Sequence, residues 1–412
     1  MAPVQTSTPG AGAEGVPAPR ALAAKPAGFG VYVHVPFCSH RCDYCAFATW
    51  TDRGHLWERY AQACRTQAAG LADWSAGPAS SVFFGGGTPS LVPSRLLTGI
   101  LASISAAVGL AFGAEVTVEC NPETVTAAKL AEYRRSGVTR LSFGAQSMVP
   151  RVLESLGRRH TPGAVARAVG LAAEAGFGGS YNLDLIYGAA GETMADWART
   201  IEEVLGLDPA PAHVSAYALT VEPGTPLSRR PERYPGDDDQ ADKYLMAEAA
   251  LSAAGYHWYE ISNWSLPGHE CRHNRLYWDQ GDYAGVGCSA HSHRSRPGGS
   301  ARRWWNVRTP ERYCALVEAG ASPEAAGEDL APGDRRREAL MLALRTRGGV
   351  PAGAVPEELF ENGLVEMIGA GAPGHEGGQT GDPPAPAGPR AVLTVRGRLL
   401  ANEVAVRLRD QS

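Results

Sequence analysis

No stretch of this 412-residue chain stays apolar for the roughly 20 residues that a membrane-crossing helix needs, so no transmembrane span is expected. A basic excess is missing as well. Lys and Arg number 38 against 43 Asp and Glu, a formal charge of -5, which leaves no electrostatic footprint for nucleic acid as a main partner and no bulk attraction to anionic lipid. Cysteine is sparse: eight residues, at 38, 42, 45, 64, 120, 271, 288 and 314, are too few and too unevenly spaced for a disulfide framework. The chain therefore reads as cytoplasmic, and Cys64, Cys120 and Cys314 read as small buried apolar residues. The opening segment to Gly28 is rich in Ala, Pro and Gly but lacks the apolar run of a secretory signal or anchor, so residues 1–28 are expected to form a disordered tail. What the chain does have is 44% hydrophobic residues, enough core for one sizeable domain and a smaller one.

From Val31 onward, short β-branched runs alternate with Ala- and Leu-rich stretches, the pattern of βα units around a parallel sheet. Six strands are expected: Val31–Val35, Ser81–Phe84, Glu115–Cys120, Arg140–Phe143, Ser180–Ile186 and His213–Ala218. Helices fall between them near Gly54–Ala72, Pro93–Ala107, Ala127–Ser136, Gly163–Ala175 and Ala195–Gly206. A helix from about Asp239 to Ala254 and a strand-like Tyr256–Ile261 follow. The aromatic and polar segment Asn263–His293 reads as an irregular loop with a task. Arg335–Arg347 reads as an amphipathic helix opening a C-terminal domain. Gly and Pro accumulate over Gly369–Pro389, which suggests a disordered insertion, and the segment from Val392 reads as a strand and turn entering a last helix. The boundaries implied are 29–262 for the βα domain, 263–327 for a connecting region and 328–412 for the C-terminal domain.

The most specific feature is Val31-Tyr-Val-His-Val-Pro-Phe-Cys38-Ser-His-Arg-Cys42-Asp-Tyr-Cys45-Ala-Phe47, where three thiols in CxxxCxxC spacing share one loop behind a strand. A single turn can aim three thiolates at one point, as a metal cluster requires. A closed zinc site with His40 as fourth ligand is the plainer alternative, and a disulfide pair the least favoured. Three cysteines suit a [4Fe-4S] cluster with one iron left open to a small ligand. After the second strand, Gly85-Gly86-Gly87-Thr88-Pro89 lacks side chains, so a ligand can approach its amides and carbonyls; a bare tight turn is the alternative.

The cluster loop resembles that of radical S-adenosylmethionine (SAM) enzymes, and more narrowly that of the branch containing oxygen-independent coproporphyrinogen III dehydrogenase (HemN) and the heme chaperone HemW. The resemblance runs from about Gly30 to Arg347 and resumes at the end of the chain. It implies an α/β fold: a partial (β/α)6 barrel with a small winged-helix-like α+β domain after it. It also implies that Cys38, Cys42 and Cys45 hold a [4Fe-4S] cluster whose open iron is closed by SAM. Gly86, Gly87 and Thr88 then match the run that meets the methionyl amino group. Glu119, Gln146, Arg158 and Asp184 match further SAM contacts in order and local context, as do Tyr32, Ala218 and His291. Taken singly, a strand-end acid is more often a cap or an ion-pair partner.

The second constellation is Cys271-Arg-His273-Asn274-Arg-Leu-Tyr277-Trp278. His273 could place its imidazole on a heme iron while the aromatics cover the porphyrin, with Cys271 as a competing thiolate. The bland alternative is a His and Trp packed under a surface loop. His273, Asn274, Tyr277 and Trp278 resemble the HNxxYW element of the HemW branch, associated there with heme binding. Dehydrogenases of the HemN type carry a fourth cysteine two residues after the third, where this chain has Phe47 after Cys45 and Ala46. The resemblance therefore implies a heme chaperone that binds heme, a [4Fe-4S] cluster and SAM. Its expected partners are a heme-acceptor protein, including a membrane-bound respiratory protein, and a reductant such as flavodoxin or ferredoxin. The alternative is a radical SAM enzyme that oxidatively decarboxylates coproporphyrinogen III. A nucleic-acid-modifying member of the superfamily is disfavoured by the acidic balance.

Overall fold

A computed structural model of the chain describes residues 28–73, 77–368 and 388–409. Alternation along six strands sets the architecture. In β1 (Phe29–Val35), Val31, Val33 and Val35 are buried on one face while Tyr32 and His34 take the other. β2 (Ala79–Gly86), β3 (Leu110–Cys120), β4 (Arg140–Gln146), β5 (Tyr181–Tyr187) and β6 (His213–Ala218) repeat the pattern and pair in parallel in that order. Parallel sheets are ordinarily apolar on both faces. Here the outer face is aliphatic and aromatic, whereas the inner face carries Glu119, Arg140, Ser142, Asp184 and His213. A polar concave face is a surface prepared for a ligand; it is called the lumen below.

The helices between the strands cover the outer face. They are α1 (Trp57–Ala69), α2 (Ser94–Val108), α3 (Ala127–Arg135), α4 (Pro150–Ser155), α5 (Pro162–Glu174) and α6 (Met194–Leu205). In α2, Leu96, Leu97, Ile100, Leu101 and Ile104 recur at three- and four-residue spacing and are all buried. Full burial of such a side chain is worth about 1.5–3 kcal/mol. The six-residue α4, started by Pro150, has no periodicity long enough to read from sequence.

The sheet does not stop at the expected barrel boundary. Beyond α7 (Asp237–Ala253), β7 (His257–Glu260) and β8 (Asn263–Ser265) add antiparallel strands beside β6. After α8 (Arg272–Trp278), β9 (Asp282–Val286) lies parallel to β1 on its free side. β10 (His291–Ser295), β11 (Ala301–Asn306) and β12 (Glu324–Leu330) then extend that edge in antiparallel fashion, with α9 (Pro310–Glu318) before β12. The result is a twelve-stranded sheet whose two edge strands, β12 and β7, do not pair, an open rather than closed barrel. Segment 263–293, expected to be irregular, instead holds β8, α8, β9 and the start of β10. Each of these elements is only three to seven residues long, too short for a period to register.

The C-terminal unit begins with α10 (Pro332–Ala343) and contains β13 (Val350–Pro351), α11 (Glu357–Glu361), β14 (Val365–Ile368), β15 (Arg390–Leu393), α12 (Val395–Leu399) and α13 (Ala401–Ala405). Its three strands pair in the order β13-β15-β14 over a separate core of Leu344, Val350, Leu359, Leu393 and Val404. Arg398 fastens it to the sheet domain with a bidentate pair to Glu248, at 2.8 and 3.0 Å, and lies 4.4 Å over the Trp258 ring. The expected tail, apart from Gly28, and most of the expected 369–389 insertion lie outside the described residues.

Candidate cofactor site

The thiol loop is held in place by contacts that do not use its sulfurs. At its base, Trp50 N–H donates to the Pro36 carbonyl at 2.8 Å and Cys38 N–H to the Trp50 carbonyl at 3.1 Å. At its tip, the Asp43 carbonyl accepts from Leu227 N–H at 2.9 Å and its carboxylate from Arg233 at 2.8 Å. Cys38, Cys42 and Cys45 are left as free thiols. Thr88 Oγ1 donates to Cys38 Sγ at 3.6 Å and Arg158 Nη1 to Cys42 Sγ at 3.5 Å. Burial pushes the Cys38 thiol up to about 11, opposed by the Thr88 hydrogen bond. Among the described residues, no three His, Cys, Asp or Glu side chains are gathered as for a single metal ion. The three thiols nevertheless lie within one another's electrostatic reach, each raising its neighbour. A cubane cluster meets each thiolate at a different iron, and donors to the sulfurs suit its charge, so this loop fits a [4Fe-4S] cluster with one iron open.

The glycine run lies directly against that loop. Gly87 N–H donates to the Val35 carbonyl at 2.9 Å, Thr88 N–H to the Phe37 carbonyl at 2.8 Å, and Gly86 N–H to Glu119 Oε2 at 3.1 Å. The expectation that a ligand would use these amides is corrected: all three are already committed. Of their carbonyls, that of Thr88 accepts from Leu91 N–H at 2.9 Å, and those of Gly86 and Gly87 suit an ammonium group. Gly86 sits at φ +109°, and a Cβ there would lie 2.4 Å from the His34 ring, so only glycine fits.

Glu119 and Asp184 stand on the same inner face, on β3 and β5 with β4 between them. Burial, and then the charge of Asp184, raises the Glu119 carboxyl to about 8. Asp184 is also raised by burial, against hydrogen bonds from Ser142 and Asn182 at 2.9 and 2.8 Å. A carboxyl raised above its unfolded value of 4.5 contributes stability that is complete below pH 4.5 and is lost as pH rises to about 8. Glu119→Gln removes that dependence. Urea unfolding across pH 4.5–8 is therefore expected to show the unaltered protein losing stability relative to the variant, by at most about 1.4 kcal/mol per pH unit; parallel pH profiles would contradict a protonated Glu119.

Gln146 ends β4 in the left-handed region at φ +64°, a strained position of the kind kept where function needs it. Arg158, half-buried, donates to Asn121 Oδ1 and to the Gly144 carbonyl, each at 3.0 Å, so it ties β4 to the thiol loop through Cys42. Asn121 was missed in the sequence although it stands beside Glu119 in Val118-Glu-Cys-Asn-Pro122; its Nδ2 reaches Thr88 at 3.4 Å and completes a link between the glycine run and Arg158. Ala218 closes β6 and is exposed, next to Tyr217, which is 41% exposed to the lumen. Tyr32 lies under this group on β1. His291 stands on β10, beside Gly285 of β9, which pairs with Tyr32, and its charge would be felt at His34.

Below the site, the inner face is wired together. Asn182 Nδ2 donates to Asp184 Oδ1 at 2.8 Å, which turns Asn182 Oδ1 towards His213 Nδ1 at 2.6 Å. His213 Nε2 then accepts from Tyr259 Oη at 2.9 Å, and Tyr259 Oη accepts from Asn274 on α8 at 3.2 Å. Both ends of the chain of bonds are fixed donors or acceptors, so the His213 tautomer is fixed too. The backbone N–H groups of Arg272 and His273 and the thiol of Cys271 all point at Glu115, which commits Cys271 inside the protein.

His273, expected on the heme side, lies inside the protein. It is 1% exposed, with Nδ1 bonded to Ser81 at 2.9 Å and Nε2 to Tyr277 Oη at 2.9 Å. Its ring stacks on Phe83 at 5.3 Å and Tyr32 at 6.3 Å, and burial lowers it to about 3. α8 is therefore the floor of the lumen rather than a surface loop, with both ring nitrogens of His273 hydrogen-bonded to neighbouring side chains. Trp278 is half-buried beside it, and Tyr277 packs edge-on against Tyr283 at 4.7 Å.

A model of the radical SAM superfamily matches residues 32–204. The chain is 41% identical over 393 residues to the heme chaperone HemW of Mycobacterium tuberculosis, covering 91% of this chain and 93% of that protein. The chain belongs to the HemW family of radical SAM proteins. The Escherichia coli heme chaperone HemW is 36% identical, over 69% of this chain and 75% of its own length. In architecture, this HemW-family chain superposes on the structure of coproporphyrinogen III oxidase (HemN) from Escherichia coli with a TM-score of 0.75, at 21% identity, covering 93% of this chain and 91% of that one. That likeness gives the fold: an open α/β sheet with the C-terminal unit attached. Membership of the superfamily brings a [4Fe-4S] cluster and SAM. Among the described residues, no helix is long and apolar enough to cross a membrane.

Proposed function

We propose that this chain is a heme chaperone: it holds a [4Fe-4S] cluster on Cys38, Cys42 and Cys45 with SAM beside it, takes up heme, and passes it to an acceptor protein. The observation that carries this reading is the similarity to a mycobacterial heme chaperone along nine-tenths of both chains. Phe47 supports it over the dehydrogenase. Where the decarboxylating branch is expected to carry a fourth thiol, this loop presents an aromatic ring that is 67% exposed.

When bound, the cluster offers an electron to the sulfonium of SAM. The protein's part is positional. The carbonyls of Gly86 and Gly87 receive the ammonium, Thr88 contributes its hydroxyl beside Cys38, and Glu119 and Asp184 receive hydroxyls. Arg158 supports the thiolate of Cys42, while Tyr32, Gln146 and Ala218 bound the pocket. Asn274, Tyr277 and Trp278, with His273, form the floor on the heme side. A respiratory membrane protein as acceptor, a flavodoxin or ferredoxin as reductant and a cytoplasmic location belong to the same reading, supported by the acidic balance and the sparse cysteines.

Anaerobic incubation of the reconstituted protein with dithionite, SAM and coproporphyrinogen III, alongside a hemin titration, tests it. Stoichiometric heme binding without decarboxylation is expected. Formation of protoporphyrinogen IX, with turnover, would replace the chaperone by the dehydrogenase.

A further inference from the structure

Charge is unevenly spread over this chain. Segments 36–50, 151–160 and 222–234 hold seven Arg against four Asp and Glu, in a chain whose formal charge is -5. Folding brings the three together at the tip of the thiol loop. Leu227 N–H donates to the Asp43 carbonyl, Gly157 lies so close that a Cβ there would stand 3.1 Å from the Asp43 amide nitrogen, and Arg233 reaches both the Asp43 carboxylate and the Ser155 carbonyl. Around that junction Arg41, Arg159, Arg229 and Arg230 are exposed and, among the described residues, stand outside any ion pair. Elsewhere the balance differs. On the flange that β10, β11 and β12 form beyond β9, Arg296 is matched by Asp329, Arg302 by Glu324, and Arg303 by Glu328 and Glu338.

An aromatic ring stands among these charges. Arg41 Nη2 donates to the Cys45 carbonyl at 3.3 Å, which sets its guanidinium beside the backbone that leads two residues on to Phe47, the ring already noted as largely exposed. Aromatic residues and Arg are the residue types enriched where proteins meet, the ring as anchor and the charges as steering. The patch also has a definite place. It is built on the loop after β1, whereas α8 lies at the other end of the strands, with His273 and Leu276 against Gly30 at the start of β1 and Ser81 near the start of β2. A partner held here deals with the thiols and not with the floor.

We infer that this face is the docking surface for an acidic one-electron carrier protein, with Phe47 as its anchor and Arg41, Arg159, Arg229 and Arg230 as its basic rim. This rests on the cluster assignment within the chaperone reading and gives the reductant of that reading its place. One electron leaves the carrier's reduced centre and one enters the cluster; no bond forms or breaks, so contact need only be brief. Encounters of this kind bury less than about 1,200 Å² and draw their speed from opposite charge, which suits one ring inside a rim of arginines.

The experiment titrates a fluorescently labelled acidic flavodoxin, and in parallel a labelled [2Fe-2S] ferredoxin, with the cluster-reconstituted full chain at low and high salt. Arg229→Glu combined with Arg230→Glu is expected to weaken carrier binding at low salt by at least roughly tenfold and to flatten its salt dependence. Phe47→Ala weakens binding at both salt concentrations. Arg135→Glu combined with Arg167→Glu, exposed on α3 and α5, leaves it unchanged. Dithionite, which needs no docking surface, reduces the cluster of every variant at the same rate, whereas the reduced carrier acts more slowly on the rim and Phe47 variants. Equal carrier affinity in the rim variant and the unaltered protein overturns the inference. So does a rim that binds phosphatidylglycerol vesicles while neither carrier binds, which would make this face a membrane contact. Iron, sulfide and hemin titrations made first separate the two readings: a chain that holds cluster and heme but ignores both carriers removes this inference alone, and a chain that holds no cluster removes both.

Discussion

Replacing Cys38, Cys42 and Cys45 together with Ala is expected to give a folded protein that contains neither iron nor acid-labile sulfide after anaerobic reconstitution. The fold survives because the loop is anchored at Pro36, Trp50, Asp43 and Arg233, none of which involves sulfur. Cys38 and Cys45 are half-buried and only Cys42 is buried, so removing the three thiols costs little packing. The cluster has nothing to replace them, since no other cysteine approaches this loop: Cys64, Cys288 and Cys314 are buried together around Tyr60 and Tyr313, Cys120 lies on the outer face of β3, and Cys271 is bonded to Glu115. Metal and sulfide analysis together with circular dichroism checks both halves. A full complement of iron and sulfide in the triple variant would remove the cluster from this loop; loss of the folded signal would show that the anchors are insufficient.

Gly87→Ala is the second large effect. A Cβ at Gly87 would stand 2.7 Å from the Phe37 carbonyl oxygen, 2.8 Å from that of Val35 and 2.9 Å from the Phe37 amide nitrogen. All three are backbone atoms, so no side chain can swing away and the thiol loop itself must move. Overpacking of this kind costs about 1–3 kcal/mol. Because the displaced segment leads straight into Cys38, cluster occupancy should fall with stability. Gly170→Ala in α5 is the control: nothing lies within 4 Å of its new methyl, and it should stabilise the helix by up to about 1 kcal/mol. Equal unfolding midpoints for the two variants would contradict the close approach of the glycine run to the loop.

Much of this was legible beforehand, for reasons that differ by element. The six parallel strands were readable because each alternates apolar outward residues with polar inward ones over six or more positions, and their bounds shifted by only a few residues. The thiol loop was readable because three cysteines so close together have few other uses. The flange strands and α8 were not, since they are short and their period never repeats. Their structure comes from pairing with β1 and β9, a long-range fact that no local window contains. His273 shows a subtler limit. His-Asn-x-x-Tyr-Trp names the residue types that could hold heme, but the sequence cannot say that Ser81, nearly 200 positions away, has taken one nitrogen, or that the i+4 tyrosine has taken the other. Asn121 was overlooked for the converse reason: an amide beside a carboxylate looks ordinary until Arg158 is seen to rest on it.

The run of bonds from Asp184 through Asn182, His213 and Tyr259 to Asn274 has one sense only, as a row of dominoes has one direction of fall. If a cofactor hydroxyl were to claim Asp184 and release the Asn182 amide, that amide could rotate, the His213 proton would have to move to Nε2, and the Tyr259 hydroxyl would have to turn its proton away from the ring. The floor of the cavity would then register an event at its rim without any strand moving.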